Sequence, residues 1–399
     1  MKFAHIADMH IGGWSDPKMT QLGLQTFKKA LQICVDKKLD FILFAGDLFN
    51  SAMPQIDLIK EVAGILKEIK DHNIPIYYIA GSHDFSASGK SMLEVLEKAG
   101  LLKNVAEFDE EGKLKFTKHN EKIKITGLMG KKGGLDKLDY LNLKKKHLEE
   151  EIGFKIFMFH AAINEFKLPE HEMIEGLPAV ALPNNFDYYA GGHIHYIYKT
   201  DYGNGKLTFP GALFPNNFKE LEEYKQGNFY IIDENLNIEN IPLKIKDVLT
   251  FNFDATNKTP NNIKNEIINT IQKEEVNDKI ILLRIKGELI SGKPSEINFK
   301  SISEHFENAY YIGKNIAKLN SKKFNNLKIE QGEAKEVETK LIQNQASNKG
   351  INIEDKERLT KELIDSLNKE KEDGEKNADF NERIFSEVKT LLNLNEIYD

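Results

Sequence analysis

Short hydrophobic runs alternate with amphipathic stretches over the first part of the chain. The central run, FILFA at residues 41–45, is too short for a helix and typical of a strand buried on both faces. Flanking runs predict strands over residues 2–7 and 76–79. Helical spacing of apolar residues predicts a helix through Leu24, Phe27, Leu31 and Cys34, and helices over residues 56–69 and 92–102. This β-α-β-α-β alternation favours a layered α/β fold with parallel strands.

The pattern continues with strands and changes near residue 249. Further strands are predicted over residues 155–159, 186–190, 207–209, 228–232 and 238–243. The lysine-rich stretch at 108–155 favours a solvated surface with an exposed helix, although its lysines together could form a rim that follows a phosphate backbone. After residue 249, strands at 250–253 and 279–285 and helices near 263–272 and 302–308 indicate a small α+β module.

Beyond residue 320 the chain is polar, which predicts a linker or disordered segment. Two amphipathic helices follow, and their apolar stripes include Leu359, Leu363, Leu367, Ile384, Phe385, Val388 and Leu391. Such a stripe usually packs on the protein's own core. Because this pair lies beyond a polar linker, a partner's groove is the alternative. We predict four parts: residues 1–245, 246–318, 319–352 and 353–399.

Composition limits the function classes. The length of 399 residues allows two or more domains, and the net charge of −7 argues mildly against a nucleic-acid partner unless a local face is basic. Arginine occurs only at Arg284, Arg358 and Arg383, so phosphate contacts would fall to lysines and ignore base sequence. A single cysteine, Cys34, fits a reducing compartment. With no signal-like start or long apolar run, we expect a cytoplasmic protein that does not bind membranes.

Polar side chains stand where the predicted strands end, which is where ligands bind in open α/β sheets. These residues are Asp8, His10, Asp47, Ser82, His83, Asp84, His160, His193 and His195. Mixed carboxylates and imidazoles suit manganese, iron or zinc better than calcium or magnesium. In Asp8-X-His10 and His193-X-His195, the two-residue spacing places both side chains on one side of an extended backbone. Asp47 could bridge two cations, as in phosphoryl-transfer sites.

Each of these pieces alone is a weak signal. An Asp-X-His is more often a hydrogen-bonded strand end, Gly-Asp is a common turn, and a lone His160 would more often be a satisfied core histidine. The Gly-Gly-His-Ile-His stretch at 191–195 is stronger, because that pattern has little structural rationale. Their joint occurrence at successive strand ends predicts a metal centre.

Together the motifs resemble those of calcineurin-like metallophosphoesterases. The matching residues are Asp8-X-His10, Gly46-Asp47, Gly81-Ser82-His83-Asp84, His160 and Gly192-His193-X-His195. The longer sequence stretches around these motifs resemble those of the SbcD-type nucleases of double-strand-break repair, the meiotic-recombination-eleven family, and of an archaeal member in particular. The resemblance implies an α/β fold: a layered β-sandwich flanked by helices over residues 1–245, an α+β DNA-capping domain at 246–318 and, after the linker, a helical ATPase-binding tail at 353–399.

The resemblance also implies roles. Two Mn²⁺ ions would bind, one to Asp8, His10, Asp47 and His195, the other to Asp47, Ser82, His160 and His193. His83, oriented by Asp84, would stabilise or protonate the leaving oxygen. The partners would be DNA ends, a second copy of the chain through the helices at 56–69 and 92–102, and a coiled-coil ABC ATPase of the SbcC type.

Two positions depart from the family pattern. Most members have asparagine where this chain has Ser82, and a neutral hydroxyl is a weaker metal ligand, so the second site would be looser. Some relatives have histidine where this chain has Asn50, which leaves any exonuclease role of that histidine open.

Three functions are therefore weighed. The first is a manganese-dependent DNA nuclease, with exonuclease activity on double-stranded ends and endonuclease activity on single strands. The second is a phosphatase or small-molecule phosphodiesterase, which would not need the capping module or the tail. The third is a non-catalytic scaffold that binds DNA and the ATPase, which only Ser82 favours.

Overall fold

A computed structural model describes residues 1–86, 91–168, 175–321, 356–369, 371 and 377–392. Strands β1–β12 are Lys2–Ile6, Phe41–Ala45, Ile76–Ile79, Lys103–Asn104, Thr117–Lys118, Ile123–Leu128, Phe154–His160, Tyr188–Gly192, Ile197–Tyr202, Gly205–Pro210, Gly227–Asp233 and Ile238–Leu243. Strands β13–β15 are Val248–Asp254, Ile280–Leu289 and Tyr311–Ser321. Helices α1–α10 are Pro17–Asp36, Ile56–Asp71, Met92–Lys98, Lys137–Leu141, Lys146–Glu150, Phe218–Tyr224, Pro260–Ile271, Phe299–His305, Lys356–Leu367 and Asn377–Leu391.

Two mixed sheets of six strands form the main body of the fold. The first has the order β12-β11-β1-β2-β3-β4, in which β1 to β4 are parallel and β11 runs antiparallel to β1 and β12. The second has the order β5-β6-β7-β8-β10-β9, with β6, β7, β8 and β10 parallel and antiparallel strands at both edges. The predicted α/β class is confirmed: the centres of both sheets are parallel, and antiparallel strands lie at one edge of the first sheet and at both edges of the second.

The two sheets pack face to face. Phe3, Phe41 and Tyr77 of the first sheet share one buried cluster with Ile156 and Tyr188 of the second. Alternate side chains of a strand point to opposite faces, and so the other face of each sheet needs its own cover. Helices α1 to α3 cover the first sheet, and a separate apolar cluster covers the second. The predicted sandwich flanked by helices is the observed architecture.

Local sequence explains where helix α1 begins and how it packs. Asp16 caps α1, its carboxylate accepting from the backbone N–H groups of Lys18 and Met19, and Pro17 occupies the first turn, where no N–H is needed. The predicted stripe of α1, which includes Phe27 and Leu31, is buried against the first sheet. Helix α1 thereby fixes the end of the loop that follows β1.

Several elements differ from the sequence prediction. Strand β6 lies in the lysine-rich stretch expected to be solvated surface; its Ile123 and Ile125 are buried, and Lys124 between them is half-buried. Strand β9 was not predicted, because its side chains are exposed or half-buried. The helix expected over 92–102 ends at Lys98. Helix α6 and strand β15 were not predicted.

The described chain divides into two compact units. The first comprises the described residues of 1–254, 263–286 and 298–318, and the second those of 255–262 and 287–297 and the described residues from 319 onward. A three-stranded sheet, β13-β14-β15, follows the two large sheets. Most of the predicted linker, residues 322–352, lies outside the described residues.

The predicted helical tail is present as α9 and α10, which pack on each other within the second unit. Lys369 Nζ lies 2.7 Å from a carboxylate oxygen of Glu387. Leu359, Leu363, Ile384, Val388 and Leu391 are half-buried, whereas Leu367 and Phe385 are 63% and 62% exposed. Among the described residues, none of the helices combines the length and apolar character that a membrane span requires.

Candidate metal centre

The residues predicted from strand ends come together at one edge of the sandwich. Asp8 and His10 follow β1, Asp47 follows β2, His160 ends β7 and His193 follows β8. Parallel strands bring their carboxyl ends to the same edge, and the face-to-face packing brings the two edges together. The contact between sheets is close: His160 Nδ1 donates to the carbonyl oxygen of Ala45 at 2.9 Å.

Asp47 lies at the middle of this group. His83 N donates to its Oδ1 at 2.7 Å, while its Oδ2 lies 3.2 Å from His160 Nε2 and 3.6 Å from His10 Nε2. One carboxylate oxygen therefore faces histidines from both sheets. This is the position that a bridging ligand would need.

Asp8 is the second buried carboxylate of the centre. Both of its oxygens accept from the backbone N–H of His193, at 2.9 and 3.1 Å, and Oδ1 lies 3.9 Å from His195 Nε2. The Nε2 atoms of His10 and His195 are 3.1 Å apart. Three groups of three residues could each hold a metal ion, because the ligand atoms within each group lie within 4.8 Å of one another. The groups are Asp8–His10–His195, His10–Asp47–His83 and Asp8–Asp47–His160.

Four of the eleven non-glycine residues with positive φ in the described structure belong to this group. Asp8, His10, Asp47 and His193 all have positive φ, of 50°, 43°, 53° and 81°. Left-handed backbone is unfavourable for residues other than glycine, at of order 1–3 kcal/mol each, and persists where the surroundings impose it. Clustering of this strain favours a functional site over an ordinary set of turns.

Hydrogen bonds fix which ring nitrogen faces the centre in three histidines. The Nδ1 atom of His160 donates to Ala45 O, that of His83 lies 2.9 Å from Asn50 O, and that of His195 lies 3.0 Å from Glu220 Oε1. A carbonyl or carboxylate oxygen can only accept, so each Nδ1 carries the proton. When the ring is neutral, its Nε2 then has the lone pair.

Burial and charge shift the titration of these groups. Burial would raise the pKa of the Asp47 carboxyl, but the adjacent His160 holds it well below its usual range. Burial would lower the pKa of His160, but Asp47 raises it to about 10. Without a bound cation, Asp47 and His160 therefore form an ion pair.

The remaining groups are governed by burial. Burial raises the pKa of Asp8 to about 6, against the opposing charges of His195 and His160. Burial lowers the pKa of His10 and His193 to about 3, so both rings are neutral near pH 7. For His195, burial acts to lower the pKa, but the hydrogen bond to Glu220 outweighs it and the net shift is upward.

The residues fit a divalent cation. Two carboxylates and several imidazoles are buried together, and isolated buried charges are costly unless paired or bound to metal. Within the described structure, His10 Nδ1 is buried and has no hydrogen-bond partner. Neutral imidazoles and ionised carboxylates are the forms that bind metal. The ligand role of each residue, including Ser82, stays a prediction.

Asp84 has partners other than the one expected from sequence. We expected it to orient the His83 ring, but that ring bonds to Asn50 O. Asp84 instead accepts from the backbone N–H groups of Leu48, Phe49 and Gly81, each at 3.1 Å. It therefore ties the loop after β2 to the loop after β3. Burial, followed by the charge of Asp47, raises the pKa of Asp84 to about 7.

A cleft of about 420 Å³ opens beside the centre. Ser82, His83, His160 and His193 line it on one side. The other side carries basic residues of the loop after β6, including Lys131 and Lys132. Part of the lysine-rich stretch thus lies next to the predicted metal ligands.

Glu220 was missed by the sequence reasoning because α6 was not predicted. A signal was present: Asn217-Phe218-Lys219-Glu220 has the spacing of a capping box, in which a polar N-cap residue precedes a glutamate by three positions. In the structure, Asn217 Oδ1 accepts from Glu220 N at 3.0 Å.

Comparisons with known proteins show what this chain is similar to. The model of the calcineurin-like phosphoesterase family matches residues 1–196. The DNA double-strand break repair protein Mre11 of Methanococcus maripaludis is 30% identical over 67% of this chain and 71% of its own. That of Methanocaldococcus jannaschii is 28% identical over 72% of this chain and 77% of its own. The Mre11 protein of Sulfolobus acidocaldarius is 26% identical over 93% of this chain and 96% of its own.

Proposed function

The chain belongs to the Mre11 family of DNA double-strand break repair proteins, and from this premise we propose that it is a divalent-metal-dependent DNA nuclease. The observation that carries the proposal is the position of Asp47 Oδ2 between His10 and His160, with buried Asp8 beside them. We further propose two Mn²⁺ ions, with exonuclease activity on double-stranded ends and endonuclease activity on single strands.

The residues would share the work as follows. Asp8, His10, Asp47 and His195 would hold one ion, and Asp47, Ser82, His160 and His193 the other. Bound cations would neutralise charge on the phosphodiester and lower the pKa of the attacking water.

The other residues of the cleft would act on the nucleic acid. The Nδ1–H group of His83 donates to Asn50 O. Its Nε2 is therefore the ring atom that would hold or donate a proton at the leaving oxygen. Lys132 is exposed at the rim of the cleft and would bind the phosphate backbone as a point charge.

Two assembly proposals rest on exposed apolar residues. Ile56 of α2 and Val95 of α3 are 82% and 56% exposed, which supports a homodimer through these helices. Leu367 and Phe385 support docking of the tail on a coiled-coil ABC ATPase. The division into a nuclease domain (1–245), a capping domain (246–318), a linker (319–352) and a tail (353–399) is part of the same proposal.

End-labelled DNA tests the function. Wild-type protein, Asp47→Ala and Asp71→Ala would be incubated with double- and single-stranded DNA, and with bis(p-nitrophenyl) phosphate, in Mn²⁺, in Mg²⁺ and in EDTA. We expect DNA cleavage that needs Mn²⁺, is abolished in Asp47→Ala and is unchanged in Asp71→Ala, which removes an exposed carboxylate at the end of α2.

Two results would contradict the proposal. Cleavage of the small ester alone would favour the phosphatase or small-molecule phosphodiesterase. Metal binding and DNA retention without turnover, even after the ATPase partner is added, would favour the scaffold.

A further inference from the structure

Glu220 contacts a predicted metal ligand from behind. Its Oε1 lies 3.0 Å from His195 Nδ1, on the side of the ring away from the cluster of carboxylates. Its side chain is only 17% exposed. Two further bonds hold the carboxylate, because Oε2 accepts from Asn216 N at 2.8 Å and Oε1 accepts from Asn217 Nδ2 at 2.5 Å.

This arrangement determines the state of the His195 ring. An ionised carboxylate can only accept, so the proton of neutral His195 lies on Nδ1. The Nε2 lone pair then faces His10 Nε2, 3.1 Å away, and Asp8 Oδ1, 3.9 Å away. Without Glu220, nothing in the described structure would fix the proton on Nδ1.

We propose that Glu220 is a positioning residue, which holds His195 as the Nδ1–H tautomer and aims its Nε2 at a divalent cation. This inference rests on the metal centre of the proposed function and deepens it. Carboxylates that hold metal-binding histidines in this way raise the basicity of the ring and fix its orientation.

A purely local role for Glu220 is the competing explanation. The residue is placed as the glutamate of a capping box, and its bond to Asn216 N satisfies a backbone donor near the start of α6. However, α6 has other anchors. Leu221 is fully buried, and Arg284 of β14 makes a bidentate ion pair with Glu222, with N–O distances from 2.5 to 3.0 Å. The helix should therefore keep its place when Glu220 is changed.

The test measures the histidine ring and the metal separately. Nitrogen-15 NMR of the metal-free, histidine-labelled protein reports the tautomer, with His195→Gln used to assign the signal. Calorimetric titration with Mn²⁺ reports the affinity. In Glu220→Ala we expect loss of the pure Nδ1–H signal and a 10–100-fold weaker Mn²⁺ site. Glu220→Gln, which keeps an acceptor oxygen, should lie between wild type and Glu220→Ala. Glu223→Ala, a charge loss on the same helix, should match wild type.

The outcomes separate this inference from the proposed function. If Glu220→Ala keeps both the tautomer and the Mn²⁺ affinity, the inference is overturned and the residue only caps α6. If wild-type protein binds no divalent cation, the metal centre fails, and a retained Glu220-dependent tautomer would show a purely structural role. Should Glu220→Ala not fold, an unchanged tautomer and affinity in Glu220→Gln would equally overturn the inference.

Discussion

His5 shows how one buried residue links stability to pH. It is fully buried between the sheets, with Nδ1 3.0 Å from Tyr188 Oη and 3.1 Å from Thr208 Oγ1. Burial lowers its pKa from 6.5 to about 3. Below pH 6.5 the unfolded chain therefore binds a proton that the folded chain refuses, so the stabilisation present above pH 6.5 is lost as the pH falls toward 3.

We expect His5 alone to reduce the free energy of unfolding by about 2 kcal/mol between pH 7 and pH 5. Urea denaturation of wild type and His5→Phe at both pH values measures this. Because His5→Phe loses the hydrogen bonds of His5, its free energy of unfolding should differ from wild type by a constant at both pH values. The change in free energy of unfolding between pH 7 and pH 5 should be smaller in the variant by about 2 kcal/mol. Equal pH dependence in both proteins would contradict the assigned shift. His72, an exposed residue, provides the control as His72→Phe, which should leave the dependence unchanged.

Single residues also mark what the sequence could predict. Asp8, Asp47 and His160 could be placed at the sheet edge from sequence, because a charged or imidazole side chain at the end of an apolar run lies where the strand ends. Glu220 belongs to a short helix with a weak pattern. The positive φ of Asp47 and the true partners of Asp84 arise from contacts between loops, which spacing along the chain does not encode.

At the scale of elements, the metal centre depends on how closely β2 approaches β7 and β8. Gly46 has φ of +90°, and a Cβ there would lie 2.1 Å from His160 Nδ1. At Gly192 a Cβ would lie 1.9 Å from the carbonyl oxygen of Ala45. The two sheets can therefore meet at this edge only with glycines at the contact.

Gly46→Ala should destabilise the protein by about 2 kcal/mol or more, because the methyl group combines left-handed strain with a clash. It should also weaken Mn²⁺ binding, since His160 must move. Gly64→Ala is the matched control: Gly64 lies exposed in α2 with no atom within 4 Å of its Cβ position. That change should raise the free energy of unfolding by about 0.5–1 kcal/mol. Denaturation measures the free energy of unfolding, and calorimetry measures the Mn²⁺ affinity. If Gly46→Ala changed neither quantity, the argument from close contact between the sheets would be refuted.

Two strands that the sequence prediction missed, β6 and β9, share a physical cause. β6 and β9 carry polar side chains on one face, so a count of lysines or exposed residues hides the strand. Ile123 and Ile125 alternate with lysines, and this period of two was the available signal for β6. The seven-residue α6 is too short for helical periodicity to establish it.

At the scale of the whole molecule, the net charge of −7 must be reconciled with a DNA substrate. The net charge of the whole chain says little about the cleft, because the cleft has the exposed Lys132 at its rim and would gain positive charge from bound cations. The family assignment rests on the phosphoesterase core and the relatives' coverage, whereas the partners rest on surface residues. The surface is therefore where the assembly proposal is tested.

Helices α9 and α10 provide that test within this chain. Phe385 of α10 is 62% exposed, and a large exposed apolar side chain on a small helical hairpin favours a partner. We expect Phe385→Asp to leave the melting temperature unchanged but to weaken binding to the ATPase coiled coil at least tenfold, because a charge would be buried in the interface. Ser386→Asp adds the same charge at an exposed neighbouring position and should bind nearly as wild type. Calorimetry with the isolated coiled coil measures both. Equal affinities would show that this stripe does not contact the ATPase and would leave Leu367, the other exposed apolar residue of the hairpin, without the role assigned to it.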